Sequence, residues 1–170
     1  MAADKAKSIA AMKTADAVDS RPHILVCSIC QYGNGVRPPF AEDNLPELIQ
    51  LMLAEPETRI RLVPYADWMM CAPCPYRAAG TNVCIHNRGS GGLPNQMRDL
   101  RVLRRLGLTF GTVMNACELY RMILECIPGN AEICAIPHGA PSVWYSGCGT
   151  ITEDTENYLK GREELMALLG

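Results

Sequence analysis

Apolar and polar positions along the chain recur with two different periods. In "DNLPELIQLMLAEPE", Leu45, Leu48, Ile49 and Met52 fall at helical spacing until Pro56 closes the segment, which predicts an amphipathic helix. "TRIRLVPY" sets Ile60 and Leu62 against Arg59 and Arg61, the period of a strand with one buried face. Ahead of both, Ile24, Leu25 and Val26 in "RPHILVCSIC" make a short, partly β-branched run that reads as a buried strand ending at Cys27, although Pro22 could instead open a helix. Strand, helix, strand is a βαβ unit with parallel strands. In that arrangement Cys27 and Cys30 lie at the C-terminal end of the first strand, and Cys71 and Cys74 follow the end of the second. Open α/β sheets collect their ligands at that edge.

Downstream, the turn-rich residues 76–92 predict a loop. Leu93, Met97, Leu100, Leu103 and Leu106 then line one face of a helix that Gly107 ends, with Arg98, Arg101, Arg104 and Arg105 on a solvated face suited to docking an acidic redox partner. Val113, Cys117, Tyr120, Leu124 and Ile127 form the stripe of another helix, on which Cys117 reads as a small buried hydrophobe. Residues 128–149 turn to Pro, Gly and small side chains, an irregular segment unless something pins it. Cys134 and Cys148 flank that segment and could build a second site or fold back to the first. "TEDTENYLKGREELMALL" closes the chain as a surface helix. The expected fold class is α/β, a small βαβ-containing sheet with packed helices and a cysteine-rich metal loop. Residues 1–20 read as an N-terminal extension, tail or helix; 21–127 as the metal-binding domain; 128–170 as an irregular segment and helix packing on the same domain.

Charge alters the picture little. Sixteen Lys+Arg against 18 Asp+Glu leave a formal net charge of -2 over 170 residues, so no bulk electrostatic argument favours nucleic acid or an anionic membrane. No apolar run reaches the roughly 18 residues of a membrane span. The N-terminus, interrupted by Asp4, Lys5, Lys7, Lys13 and Asp16, has no continuous apolar stretch for a secretory signal. A cytoplasmic protein is expected, with oligomeric state open and a homodimer compatible with it.

Cysteine content changes the picture most. Nine cysteines without an export signal, two pairs of them C-x-x-C, point to metal or redox chemistry rather than a disulfide framework. Cys71, Cys74 and Cys84 give C-x2-C-x9-C, three soft donors from one loop. Zinc ribbons commonly space two C-x-x-C knuckles by about 15 to 20 residues. The knuckles Cys27/Cys30 and Cys71/Cys74 are instead separated by a whole helix and strand, and Cys74 is followed by Pro75. Both features favour a 4Fe-4S cluster over zinc. Either Cys27 or Cys30 can supply the fourth ligand, the other being a redox partner, a substrate-facing thiol or a core residue. His23 and His86 stand near these cysteines as candidate proton donors or carboxylate-binding groups. "GNG" at Gly33 to Gly35 is too short for a phosphate loop.

Taken together, "RPHILVC", "GNGVRPPFAEDN", "CAPCP" with "VC" downstream and "DLRVLRRLGLTFG" resemble the small bacterial and archaeal family catalogued as domain of unknown function 1284. The resemblance covers about residues 21–127 and extends loosely to "WYSGC" at Trp144 to Cys148. It implies an iron-sulfur protein without an assigned activity, and a ligand set of Cys27, Cys71, Cys74 and Cys84. The family usually carries a second histidine where this chain has Ile24.

Three functions are compatible with these residues. The first is a small redox protein or electron-transfer subunit whose partner protein docks near residues 76–92. The second is an enzyme in which one open iron acts as Lewis acid on a small-molecule substrate, with His23 or Cys30 in acid/base work. The third is a zinc-stabilised binding module built on Cys27, Cys30, Cys71 and Cys74.

Overall fold

The computed structural model describes residues 2–78, 80–85, 92–134 and 151–170. His86, Cys148 and the "WYSGC" motif lie outside the described residues. Eight helices and five strands are present among those described, in the order α1 (Ala2–Thr14), β1 (Val18–Ser20), α2 (Pro22–Gly33), α3 (Leu45–Ala54), β2 (Arg59–Leu62), α4 (Trp68–Cys71), β3 (Arg77–Ala78), β4 (Val83–Cys84), α5 (Leu93–Leu106), β5 (Val113–Asn115), α6 (Ala116–Cys126), α7 (Ala131–Cys134) and α8 (Ile151–Leu169). The fold is α/β: a three-stranded sheet in the order β1-β2-β5, a separate β3-β4 hairpin, and helices packed around them.

The βαβ unit exists, but its first strand lies upstream of the expected one. Strand β1 is Val18–Ser20, pairing parallel to β2 with Val18 opposite Ile60 and Ser20 opposite Leu62. The run "PHILVCSIC" is helical instead. Pro22 sits in the first turn, where its missing N–H is no loss, and a helix buried nearly all round shows no polar stripe by which its period could be read. Cys27 and Cys30 therefore stand inside α2 and not at a strand end.

Three further corrections follow. Val113 belongs to β5, which pairs antiparallel to β2, so the helix begins only at Ala116, capped by the Asn115 side chain. Residues 76–92 contain the short β3-β4 hairpin and are not all loop. Helix α5 is rotated relative to its leucine stripe: Leu93 and Leu100 are exposed, whereas Asn95, Arg98 and Asp99 are buried beside Val102, Leu103 and Leu106.

The terminal helices belong to the packed body. Ser8 and Met12 of α1 are buried; Asn44 donates from Nδ2 to Ser8 Oγ at 2.7 Å, and Lys5 pairs with Glu47 at 2.6 Å. Helix α8 lies at the surface with one face packed inward: Tyr158 and Leu165 are fully buried, while Leu159, Met166 and Leu168 are exposed. It crosses α2 where Gly33 meets Gly161: a Cβ on Gly33 would stand 2.5 Å from Gly161 N, and one on Gly161 would stand 2.9 Å from Gly33 N. Two glycines at the crossing let the backbones meet. Tyr158 also donates its hydroxyl to Ile127 O at 2.7 Å, and Arg162 Nε donates to Leu124 O at 2.6 Å, tying α8 to the end of α6.

Candidate metal centre

Parallel pairing of β1 and β2 sets where the chemistry gathers. Val63 N bonds Ser20 O at 3.0 Å, so the chain leaves both strands at the same edge. From β1 it runs through Arg21 into α2; from β2 it runs through Val63 to Ala66 into α4. Asp67 caps α4 by accepting from Met69 N at 2.7 Å, and the helix ends at Cys71. A tight turn follows, with Cys74 N on Cys71 O at 3.1 Å and Arg77 N on Cys74 O at 3.2 Å. The hairpin then brings Cys84 back opposite Arg77. Arg77 clamps the hairpin by donating from Nη2 to Asn82 Oδ1 and from Nε to Ala66 O.

Cys71 is buried, and Cys74 and Cys84 are half-buried. Burial pushes the Cys71 thiol far up, and the neighbouring Cys74, Cys84 and Asp43 push it further. Cys74 is also raised, by burial first, with a backbone N–H at Tyr76 in partial opposition and Cys84 and Asp43 adding to the rise. The three sulfurs of the loop therefore share one electrostatic site. Without a cation Cys71 and Cys74 resist ionising; a bound metal ion would reverse that balance and draw out the thiolates. Among the described residues, no three His, Cys, Asp or Glu side chains stand closed around one metal position. The set fits an iron or zinc centre by donor chemistry, three soft sulfurs at one sheet edge.

Helical periodicity bears on the fourth donor. His23, Cys27 and Gln31 are spaced i, i+4, i+8 on α2 and so share a face. At one end of that face Arg21 acts on Cys71, and at the other Gln31 donates to Asp43 Oδ2 at 3.0 Å, Asp43 being the carboxyl that acts on Cys71 and Cys74. Cys27 lies between these two points. Cys30 turns elsewhere: its Sγ accepts from Asn130 Nδ2 at 3.5 Å, and with Cys134 it acts on Tyr158. Cys117 is half-buried, its thiol reaching Met52 O at 3.7 Å.

Sequence reasoning missed the polar group that organises this edge. Asp99 is fully buried in α5 and accepts four hydrogen bonds: from Arg21 Nε (2.8 Å) and Nη2 (2.5 Å) on Oδ2, and from His23 N (3.0 Å) and Nδ1 (2.6 Å) on Oδ1. Helix α2 has neither a side-chain cap nor an acidic residue in its first turn, so Asp99 supplies both from another helix. Burial alone would raise the Asp99 carboxyl, but His23, Arg21 and the His23 amide outweigh it and hold the group below the usual carboxylate range. Burial keeps His23 below the ordinary imidazole value despite Asp99. An ionised Asp99 can only accept, so His23 Nδ1 carries the proton and Nε2 keeps a free lone pair.

The same helix carries Asn95 and Arg98, both buried. Arg98 Nη1 donates to Asn95 Oδ1 at 2.9 Å, and Asn95 Nδ2 donates to Cys84 Sγ at 3.5 Å. Gly92, at φ 77°, opens α5 against this cysteine; a Cβ there would stand 2.7 Å from Cys84 O. The expected solvated arginine face is thus wrong for Arg98. One signal was available: Val102 falls off the leucine stripe but on the strip of Asn95, Arg98, Asp99 and Leu106.

The structure and site together define an α/β protein with a cysteine-lined edge. No family model, no curated protein and no solved structure matches this chain. The expected family membership rests on the quoted motifs alone. Among the described residues, no helix is long and apolar enough to cross a membrane.

Proposed function

We propose that this protein holds a 4Fe-4S cluster on Cys71, Cys74, Cys84 and Cys27 and serves as a small cytoplasmic electron-transfer protein. The observation that carries the reading is the gathering of three loop cysteines, one buried and two half-buried, by a single turn and hairpin after β2. When bound, the cluster supplies one-electron chemistry near the surface. The chain's own residues would then do the rest. Cys71 anchors the group against the core, while Cys74 and Cys84 hold it on the outer side. Tyr76, Val83 and Ile85 are exposed large side chains on the hairpin that carries Cys84, and offer a partner an apolar contact beside it. The resemblance of the quoted motifs to domain of unknown function 1284 implies the same ligand set.

Anaerobic purification with iron, sulfide and zinc analysis and an absorption spectrum tests this. Iron with equimolar sulfide, a broad band near about 400 nm and reversible bleaching by dithionite are expected. Colourless protein carrying zinc would replace the reading with the zinc module, and a cluster that dithionite cannot reduce would remove electron transfer. Single Cys→Ser changes at positions 27, 71, 74 and 84 should each lose the cluster.

One observation favours a second reading, the enzyme with an open iron. The Asp99–His23 pair leaves Nε2 of a neutral imidazole unprotonated, the arrangement of an oriented general base. It gains support if Cys27→Ser retains its cluster, and loses it if all four cysteines are required.

A further inference from the structure

From the relay on α5 we infer that Arg98 and Asn95 tune the metal centre through Cys84, stabilising negative charge on its sulfur; this rests on the metal-centre reading above. Arg98 is 5% exposed and Asn95 6%, on a stretch whose pattern gives no apolar reason to bury them. Burying a guanidinium is costly unless an opposite charge faces it. Its sequence neighbour Asp99 is already saturated by Arg21 and His23. Arg98 makes no ion pair with a carboxylate among the described residues, and its Nε has no hydrogen-bond partner among them. The guanidinium bonds the Asn95 carbonyl, and the far end of that amide points at sulfur. Binding the oxygen fixes which way the amide faces, so its NH2 group is turned toward Cys84. A cation therefore polarises an amide that donates to a thiol, across two bonds of 2.9 and 3.5 Å.

The counter-charge missing from the buried arginine is then the centre itself. A cluster held by four thiolates is a net anion and becomes more so when it accepts an electron. Donors to a ligating sulfur stabilise the more negative state and raise the reduction potential. One electron enters from the reductant and none leaves. No proton moves, because guanidinium and amide keep theirs. Arg98 and Asn95 are thus positioning residues, acting through Cys84 without touching a reacting atom.

Potentiometric titration of the anaerobically purified protein tests the relay. Asn95→Ala and Arg98→Met should keep iron content and absorption while the midpoint potential moves negative. Arg98→Lys, which keeps the charge, should lie between them and the parent, and Arg104→Met, which removes the same charge from an exposed position on α5, should leave the potential unchanged. Equal shifts for Arg98→Met and Arg104→Met, or no shift for Asn95→Ala, would overturn the relay. Should Asn95→Ala not fold, Asn95→Ser gives the same readout.

A second measurement separates failure of the relay from failure of the cluster reading. On the chain loaded with zinc alone, competition with a chelator should show Asn95→Ala losing the ion at about 10 to 100-fold lower affinity. An unchanged affinity there, together with an unchanged potential, disposes of the inference whichever metal the protein carries.

Discussion

Removing the carboxylate of Asp99 is the sharpest test of how this edge is held. Asp99 is 0% exposed and Arg21 is 4% exposed, so Asp99→Ala deletes the acceptor of four buried hydrogen bonds and strands a guanidinium away from water. Breaking a buried pair by removing one partner costs about 3–5 kcal/mol. For a chain of this size each kcal/mol lowers the melting temperature by roughly 2–4 °C, so a fall of about 6–20 °C is expected. Thermal unfolding at pH 7, followed by circular dichroism, measures it. Asp99→Asn keeps the volume but loses the charge and two acceptor sites, and should lie between. The paired change Arg21→Met with Asp99→Leu should recover most of the loss, because no charge is then left stranded. A melting temperature for Asp99→Ala within about 2 °C of the parent would refute the reasoning, since exposed substitutions already reach that size.

Further predictions concern the helix crossing, acid stability and the unused thiols. Gly161→Ala should destabilise by at least about 1–3 kcal/mol in guanidinium titration, because its Cβ meets backbone of α2 that cannot turn aside; Gly129→Ala, with open space around it, should stay within about 0.5 kcal/mol. His23 has a lowered folded value, so the unfolded chain binds more protons below the ordinary imidazole value of about 6.5, and stability falls as pH drops through that range. Asp99, also lowered, adds loss of the same sign as pH falls below about 4. Denaturation midpoints between pH 8 and 5 should therefore decline on acidification, and His23→Gln should flatten the decline; a midpoint that rises instead contradicts the burial of a neutral imidazole. Cys30→Ser and Cys117→Ala should retain full iron content, as these thiols face Asn130 and Met52 O rather than the loop; iron loss in either would redraw the ligand set.

The parts of this protein legible in its sequence are those whose pattern is decided locally. Helix α3 and strand β2 each bury one face, so their apolar positions repeat with the period of the element, and both stand where the pattern places them. The proximity of Cys71, Cys74 and Cys84 was equally legible, because cysteines close in sequence are gathered by the turn and hairpin between them. Helix α2 was not: packed by α3, α5 and α8, it is buried nearly all round, polar His23 and Ser28 included, and leaves no period to read. The face of α5 was misjudged because Asn95, Arg98 and Asp99 are polar side chains buried for their partners. Those partners lie on α2 and the hairpin: Asp99 is 78 positions from Arg21, and Asn95 is 11 from Cys84. Sequence alone thus determined that Cys71, Cys74 and Cys84 fall in one loop and that a βαβ unit precedes it. Only the tertiary structure decided that α5 turns its charged strip inward, because that choice depends on buried charges finding one another across the fold, a compensation no local period records.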